Sequence, residues 1–129
     1  MNRIVAPATI APPAANYAHA VLTESALWWL HTSGVVPTRA DGTVPATIEE
    51  QATVVWVNLL AILAEAEMAP ADVVSLTTYV VVDQLPSLAA VMAARDLALH
   101  GQRVASTLVT VPALARLEWK MEISLIAAR

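Results

Sequence analysis

Residues 47–82 read TIEEQATVVWVNLLAILAEAEMAPADVVSLTTYVVV, and the spacing of the apolar residues changes partway through. From Thr47 to Met68 there is no Gly or Pro, and Ile48, Ala52, Val55, Leu59, Ile62 and Ala66 recur at helical spacing. Thr47 stands three residues before Glu50, the arrangement in which a hydroxyl and a carboxylate take up free backbone N–H groups at a helix start. A long helix is therefore expected from Thr47 to Met68. Pro70 and Asp72 punctuate it. Val73 to Val82 is then so rich in β-branched residues that it reads as a strand buried on most of both faces.

Downstream, Asp83 ends that strand, and Pro86 and Ser87 open a second helix through Leu88, Val91, Met92, Arg95 and Leu99, which Gly101 stops. Two more strands are expected, Val104 to Val111 and Leu117 to Ala127, with a turn near Pro112 to Arg116. In the last of them Leu117, Trp119, Met121, Ile123 and Leu125 alternate with Glu118, Lys120, Glu122 and Ser124, so one face is core and the other polar. Upstream, Tyr17 to Thr23 and Ala26 to Thr32 read as a hairpin pair. A loop from Ser33 to Pro45 follows, containing Gly34, Pro37, Asp41 and Gly42. The order β-β-loop-α-β-α-β-β places the chain in the α+β class.

At 129 residues, one domain covering 1–129 is expected. The chain is 57% hydrophobic and 14% charged, with four Trp and no Phe, which is more apolar surface than a small monomer hides internally. A homo-oligomer is expected. The formal net charge is -4 and the seven Lys and Arg residues are scattered from Arg3 to Arg129, so nucleic acid is a poor partner on electrostatic grounds. With no Cys there is no disulfide, thiolate metal site or Cys nucleophile, which agrees with a reducing compartment. Pro7, Pro12 and Pro13 break any signal-like run, and the longest apolar segment, Val54 to Ala66, is interrupted by Asn58 and short of a membrane span. A cytoplasmic protein without membrane contact is expected.

Several short motifs occur in a telling order. Ala15-Asn16-Tyr17-Ala18-His19-Ala20-Val21 is followed by Ser33-Gly34-Val35-Val36-Pro37, then by Gln51, Asn58-Leu59 and Ala61-Ile62-Leu63. Asp72-Val73-Val74, Thr77 to Val82, Glu122-Ile123 and Ile126-Ala127 complete the series. The series resembles the Rid (YjgF) family of imine and enamine deaminases along nearly the whole chain. The resemblance implies a chorismate-mutase-like fold, with a mixed sheet carrying two helices on one face. It also implies a trimer with a central barrel and clefts between subunits, each cleft taking a small molecule. Deaminating members hold the substrate carboxylate with an arginine in a Pro-Ala-Arg-Ser segment, and here the matching segment is Val104-Ala105-Ser106-Thr107. Ser106 thus replaces the clamping arginine, and little acceleration of 2-aminoacrylate or 2-iminopropanoate hydrolysis is expected. Arginine restored at 106 should face Glu122.

By the same resemblance Glu122 positions the hydrolytic water and Tyr17 lines the cleft, although a solvated strand carboxylate and a core or interface tyrosine would look the same in sequence. Gly34, with Ser33 before it, lets backbone approach a ligand closely, or else serves a turn of positive φ. Ser106 and Thr107 are cleft-lining candidates. Arg103 is either a replacement cation or a surface arginine. His19 and His31, on strands read as neighbours, find no Cys, Asp or Glu for a third ligand, so neither metal nor cofactor is expected. Trp28 and Trp29, being adjacent, point to opposite sides of a strand, and one of them, with His19, would suit a bulkier or aromatic substrate. The activity expected is water-mediated acid/base hydrolysis of a small enamine or imine. The alternative is a non-catalytic trimer that binds or senses a small ligand.

Overall fold

A computed structural model describes every residue from Met1 to Arg129. Its regular elements are β1 (Asn2–Val5), β2 (Ala20–Thr23), β3 (Trp29–His31), α1 (Ile48–Glu65), β4 (Val73–Val81), α2 (Leu88–Ala98), β5 (Ala105–Val111) and β6 (Met121–Ala128). A four-stranded mixed sheet runs in the order β3-β6-β4-β5, while β1 and β2 form a separate antiparallel pair. β4 and β5 are parallel neighbours, so the chain must cross over between them, and α2 is that crossover.

α1 begins where the sequence places it. Thr47, in extended conformation, accepts the Glu50 backbone N–H on its hydroxyl at 3.3 Å. α2 ends as Gly101 implies, with that residue at φ +74 and its N–H donated to the Asp96 carbonyl at 2.9 Å. Ile48, Ala52, Val55, Leu59 and Leu63 of α1, with Val91 of α2, cover Val73, Leu76, Val80, Met121, Ile123, Leu125 and Ala127 on one face of the sheet. Alternate residues on those strands form the opposite face. It holds Ser75, Thr77, Tyr79 and Val81 of β4 and Glu122, Ser124 and Ile126 of β6, and no helix covers it.

Buried Gln51 ties the helix layer to the start of β6. Its amide NH₂ donates to the carbonyls of Pro45 and Glu118, both at 2.8 Å, and its Oε1 accepts the Lys120 N–H at 2.8 Å. This explains one departure from the sequence reading. Leu117 and Trp119 keep the alternation but not the strand: Leu117 is 92% exposed, Trp119 donates its N–H back to Arg116, and the strand itself begins at Met121. The expected hairpin also gives way. β2 pairs with β1, which the sequence reading did not identify, and β3 pairs with β6. Ser25, at φ 57, turns the chain away after β2, and Leu27 and Trp28 donate their N–H groups to the Arg129 carbonyl at the far edge of the sheet. Local alternation marks a strand but does not choose its partner.

Candidate functional site

The uncovered sheet face places Glu122 at its centre. On β6 it lies between the half-buried Lys120 and Ser124, and across the ladder it opposes Tyr79 of β4, which in turn pairs with Val109 of β5. Gly34 closes the other side. Val35 bridges to Ile123, which brings Gly34 so near that a Cβ built on it would lie 2.0 Å from a Glu122 carboxylate oxygen. Gly34 does not have positive φ, so close approach rather than turn geometry accounts for the glycine. What approaches is the carboxylate itself. Ser33, exposed beside it, accepts the Thr32 hydroxyl on its carbonyl at 2.8 Å.

Ser106 is not on this face. It pairs with the core residue Leu76 and takes a hydrogen bond on its hydroxyl from Arg95 of α2 at 3.4 Å, beneath the helix. Arg95 is buried and neutralised by Asp96, with Nη2 to Oδ1 at 2.9 Å. Thr107, one residue on, shares the face of Glu122 through its pairing with Thr77 and that residue's pairing with Ser124. Ser106→Arg would therefore bring a second guanidinium towards Arg95 instead of towards Glu122. Like charges in a poorly solvated place repel, and a melting temperature lowered by a few degrees, with no gain of activity, is the expected result. A gain of imine-hydrolysing activity in that variant would contradict this placement.

The remaining candidates sit apart within one chain. Ala18 docks on Ala105 at the outer edge of β5, flanked by Tyr17 and His19, whose rings meet edge to face at 5.9 Å. His19 Nε2 lies 2.7 Å from the Ala11 carbonyl. By the ladder register this site at the edge lies three strands across and four residues along from Glu122, roughly 20 Å away. Trp29 opposes Ala128 at the other end of β6, and Arg129 stacks on the Trp28 ring at 4.9 Å. Both tryptophans are about half exposed and neither is in the core. Arg103 lines a groove of about 380 Å³ with Arg3, Asn2 and Gln102, at the opposite end of the β4–β5 pair from Glu122. His31, with Ser75, Thr77, Ser124 and Ile126, lines a hollow of about 190 Å³ at the β3 edge. The two histidines thus flank opposite edges of the sheet rather than neighbouring strands, and no three of His, Cys, Asp or Glu gather as a metal set would.

Tyr79, Lys120 and Arg95 escaped the sequence reading as site or near-site residues. Tyr79 meets Glu122 only through the β4–β6 register, and Arg95 meets Ser106 only through the crossover. For Lys120 a signal was present, since it shares the parity of Glu122 in the last strand.

A two-helix layer on a mixed sheet, with a carboxylate seated on a glycine at the open face, defines a class of small α+β proteins. The chain belongs to the endoribonuclease L-PSP family, whose profile matches residues 8–129. YyfB of Yersinia pestis, a protein of unknown function of the conserved Rid family, is 32% identical with a TM-score of 0.89, covering 99% of this chain and 98% of that one. Yeast Mmf1 is 25% identical, with a TM-score of 0.70 and coverage of 99% and 98%. TdcF of E. coli, solved with bound serine, is 23% identical, with a TM-score of 0.69 and 98% of each chain covered. No curated protein matches the chain.

Proposed function

We propose that this chain is a single-domain, cytoplasmic Rid-type enzyme that hydrolyses a small enamine or imine at a site built on Glu122 and completed between the subunits of a homotrimer. The observation that carries the reading is the Glu122 carboxylate lodged against Gly34 on an otherwise uncovered sheet face. Such a carboxylate can hold a water and pass a proton through it. The enamine β-carbon takes a proton, the C=C pair shifts, and the nitrogen-bearing carbon becomes the imine carbon. The water adds to that carbon, its proton moves by way of Glu122 to the nitrogen, and the C–N bond breaks to release ammonia and leave a carbonyl.

Tyr17, on the far edge of the same chain, reaches such a site only from a neighbouring copy. Surface chemistry supports assembly: Leu27, Trp28, Trp29, Leu117 and Val109 are exposed, and the outer edge of β5 is bridged only where Ala18 meets Ala105. Serine bound to TdcF agrees with a ligand of amino-acid size. The family's description names an endoribonuclease, yet the open face offers one lysine near one carboxylate instead of the basic stripe that RNA requires. No guanidinium pairs with Glu122, so a substrate held there lacks the two-pronged arginine clamp.

Light scattering should give a mass about three times the 13.7 kDa chain. A panel of enamines and imines, including aromatic and ring-cleavage products, should contain one whose ammonia release the protein accelerates. A clean monomer at micromolar concentration would remove the interfacial site. Binding of a small carboxylate or aromatic ligand with no turnover anywhere in the panel would favour the non-catalytic trimer.

A further inference from the structure

We infer that Lys120 is the substrate-orienting cation of the Glu122 site, and that the substrate therefore carries an anionic group. This rests on the reading of the Glu122 face as the site. The backbone fixes where Lys120 stands: its N–H is held by buried Gln51 at 2.8 Å and its carbonyl accepts the Val81 N–H at 2.9 Å, extending the β4–β6 ladder one residue beyond Met121. With Met121 fully buried between them, Lys120 and Glu122 project to the same open face, their Cα atoms roughly 6.5 Å apart.

Lys120 is also uncommitted. The ion pairs in the structure are Arg3 with Glu24 and Arg95 with Asp96, so Lys120 has no carboxylate partner despite the nearness of Glu122. Other cations are placed elsewhere or already engaged. Arg95 reaches from α2 to Ser106, Arg39 donates to the Thr43 hydroxyl at 3.3 Å, Arg103 lies at the other end of β5, Arg116 over the Trp119 ring at 5.5 Å and Arg129 over Trp28. On this inference a small molecule on the open face turns its anionic group towards Lys120 and its C=N carbon towards the water on Glu122. An ammonium is a compact point charge without the fork of a guanidinium. It therefore selects for negative charge while tolerating variation in how the anion is presented.

The test uses stable carbonyl analogues of imines, namely 2-oxobutanoate and phenylpyruvate, each against its methyl ester, with binding to the intact protein followed by calorimetry. The free acids should bind on the order of tenfold more tightly than the esters. Lys120→Met should abolish that preference and Lys120→Arg should keep it, a rescue that a merely structural lysine would not show. Equal binding of acid and ester, no binding of either, or a preference that survives Lys120→Met would each overturn the inference. Failure of the enzymatic reading looks different. There, Lys120-dependent acid binding would persist while no imine is turned over. Conversely, Glu122-dependent turnover with unchanged KM in Lys120→Met would keep the enzyme and remove Lys120 from it.

Discussion

Glu122→Gln should lower turnover of the substrate identified in the panel by about 10²- to 10⁴-fold, the usual contribution of a positioned acid/base group. The trimer mass and melting temperature should stay nearly unchanged. The substitution keeps the shape of the side chain, so the space beside Gly34, where a Cβ would come within 2.0 Å of the carboxylate, remains filled by an amide of the same size. The amide still donates and accepts hydrogen bonds but does not act as a general acid or base at neutral pH. Glu122 is half-buried and has no ion-pair partner, so removing its charge breaks no salt bridge. Loss of activity without loss of fold thus separates chemistry from packing. If the variant turns over substrate like the parent, Glu122 is an ordinary strand residue and the proposed mechanism fails.

Gln51→Leu should destabilise the fold by about 3 kcal/mol, because removing one partner of a buried hydrogen bond costs about 1–3 kcal/mol for each group left unsatisfied. Three backbone groups lose their partner together: the carbonyls of Pro45 and Glu118 and the N–H of Lys120. Leucine matches the glutamine in volume, so cavity formation adds little and the polar loss dominates. For a chain of this length that corresponds to a fall in melting temperature of about 10 °C. Thermal unfolding followed by circular dichroism reads the result. A fall below about 3 °C would mean that water or a shifted loop satisfies the released groups. The same change should weaken the preference for acids over esters, since Gln51 sets the position from which Lys120 projects.

Where local chemistry alone dictates structure, the sequence was sufficient. α1 announced itself through the Thr47 cap and its apolar period, α2 through Gly101, and β4 through its run of β-branched residues. Wherever a partner distant in the chain decides the outcome, the sequence was silent. Nothing in Leu117 or Trp119 shows that Gln51, far upstream, holds the chain back until Met121, and nothing in residues 20–31 shows that β2 and β3 part company. The candidate site divides in the same way. Glu122 and Gly34 were legible because motifs bring them to notice, and the structure puts them in contact. Ser106 was misplaced relative to Glu122 because the alternation along β5 is imperfect and face assignment there needs the pairing with Leu76 and the contact with Arg95.

The contact between Gly34 and Glu122 also constrains how this protein can change over generations. The two positions share one small volume: one supplies the absence of a side chain and the other fills it. Neither is free to vary alone. A lineage that gains even a methyl group at 34 must shorten or redirect the side chain at 122, and a lineage that abandons the carboxylate no longer needs the glycine. Among relatives the two should be kept or lost as a unit, so the residue at 34 would report whether the chemistry at 122 is still under selection.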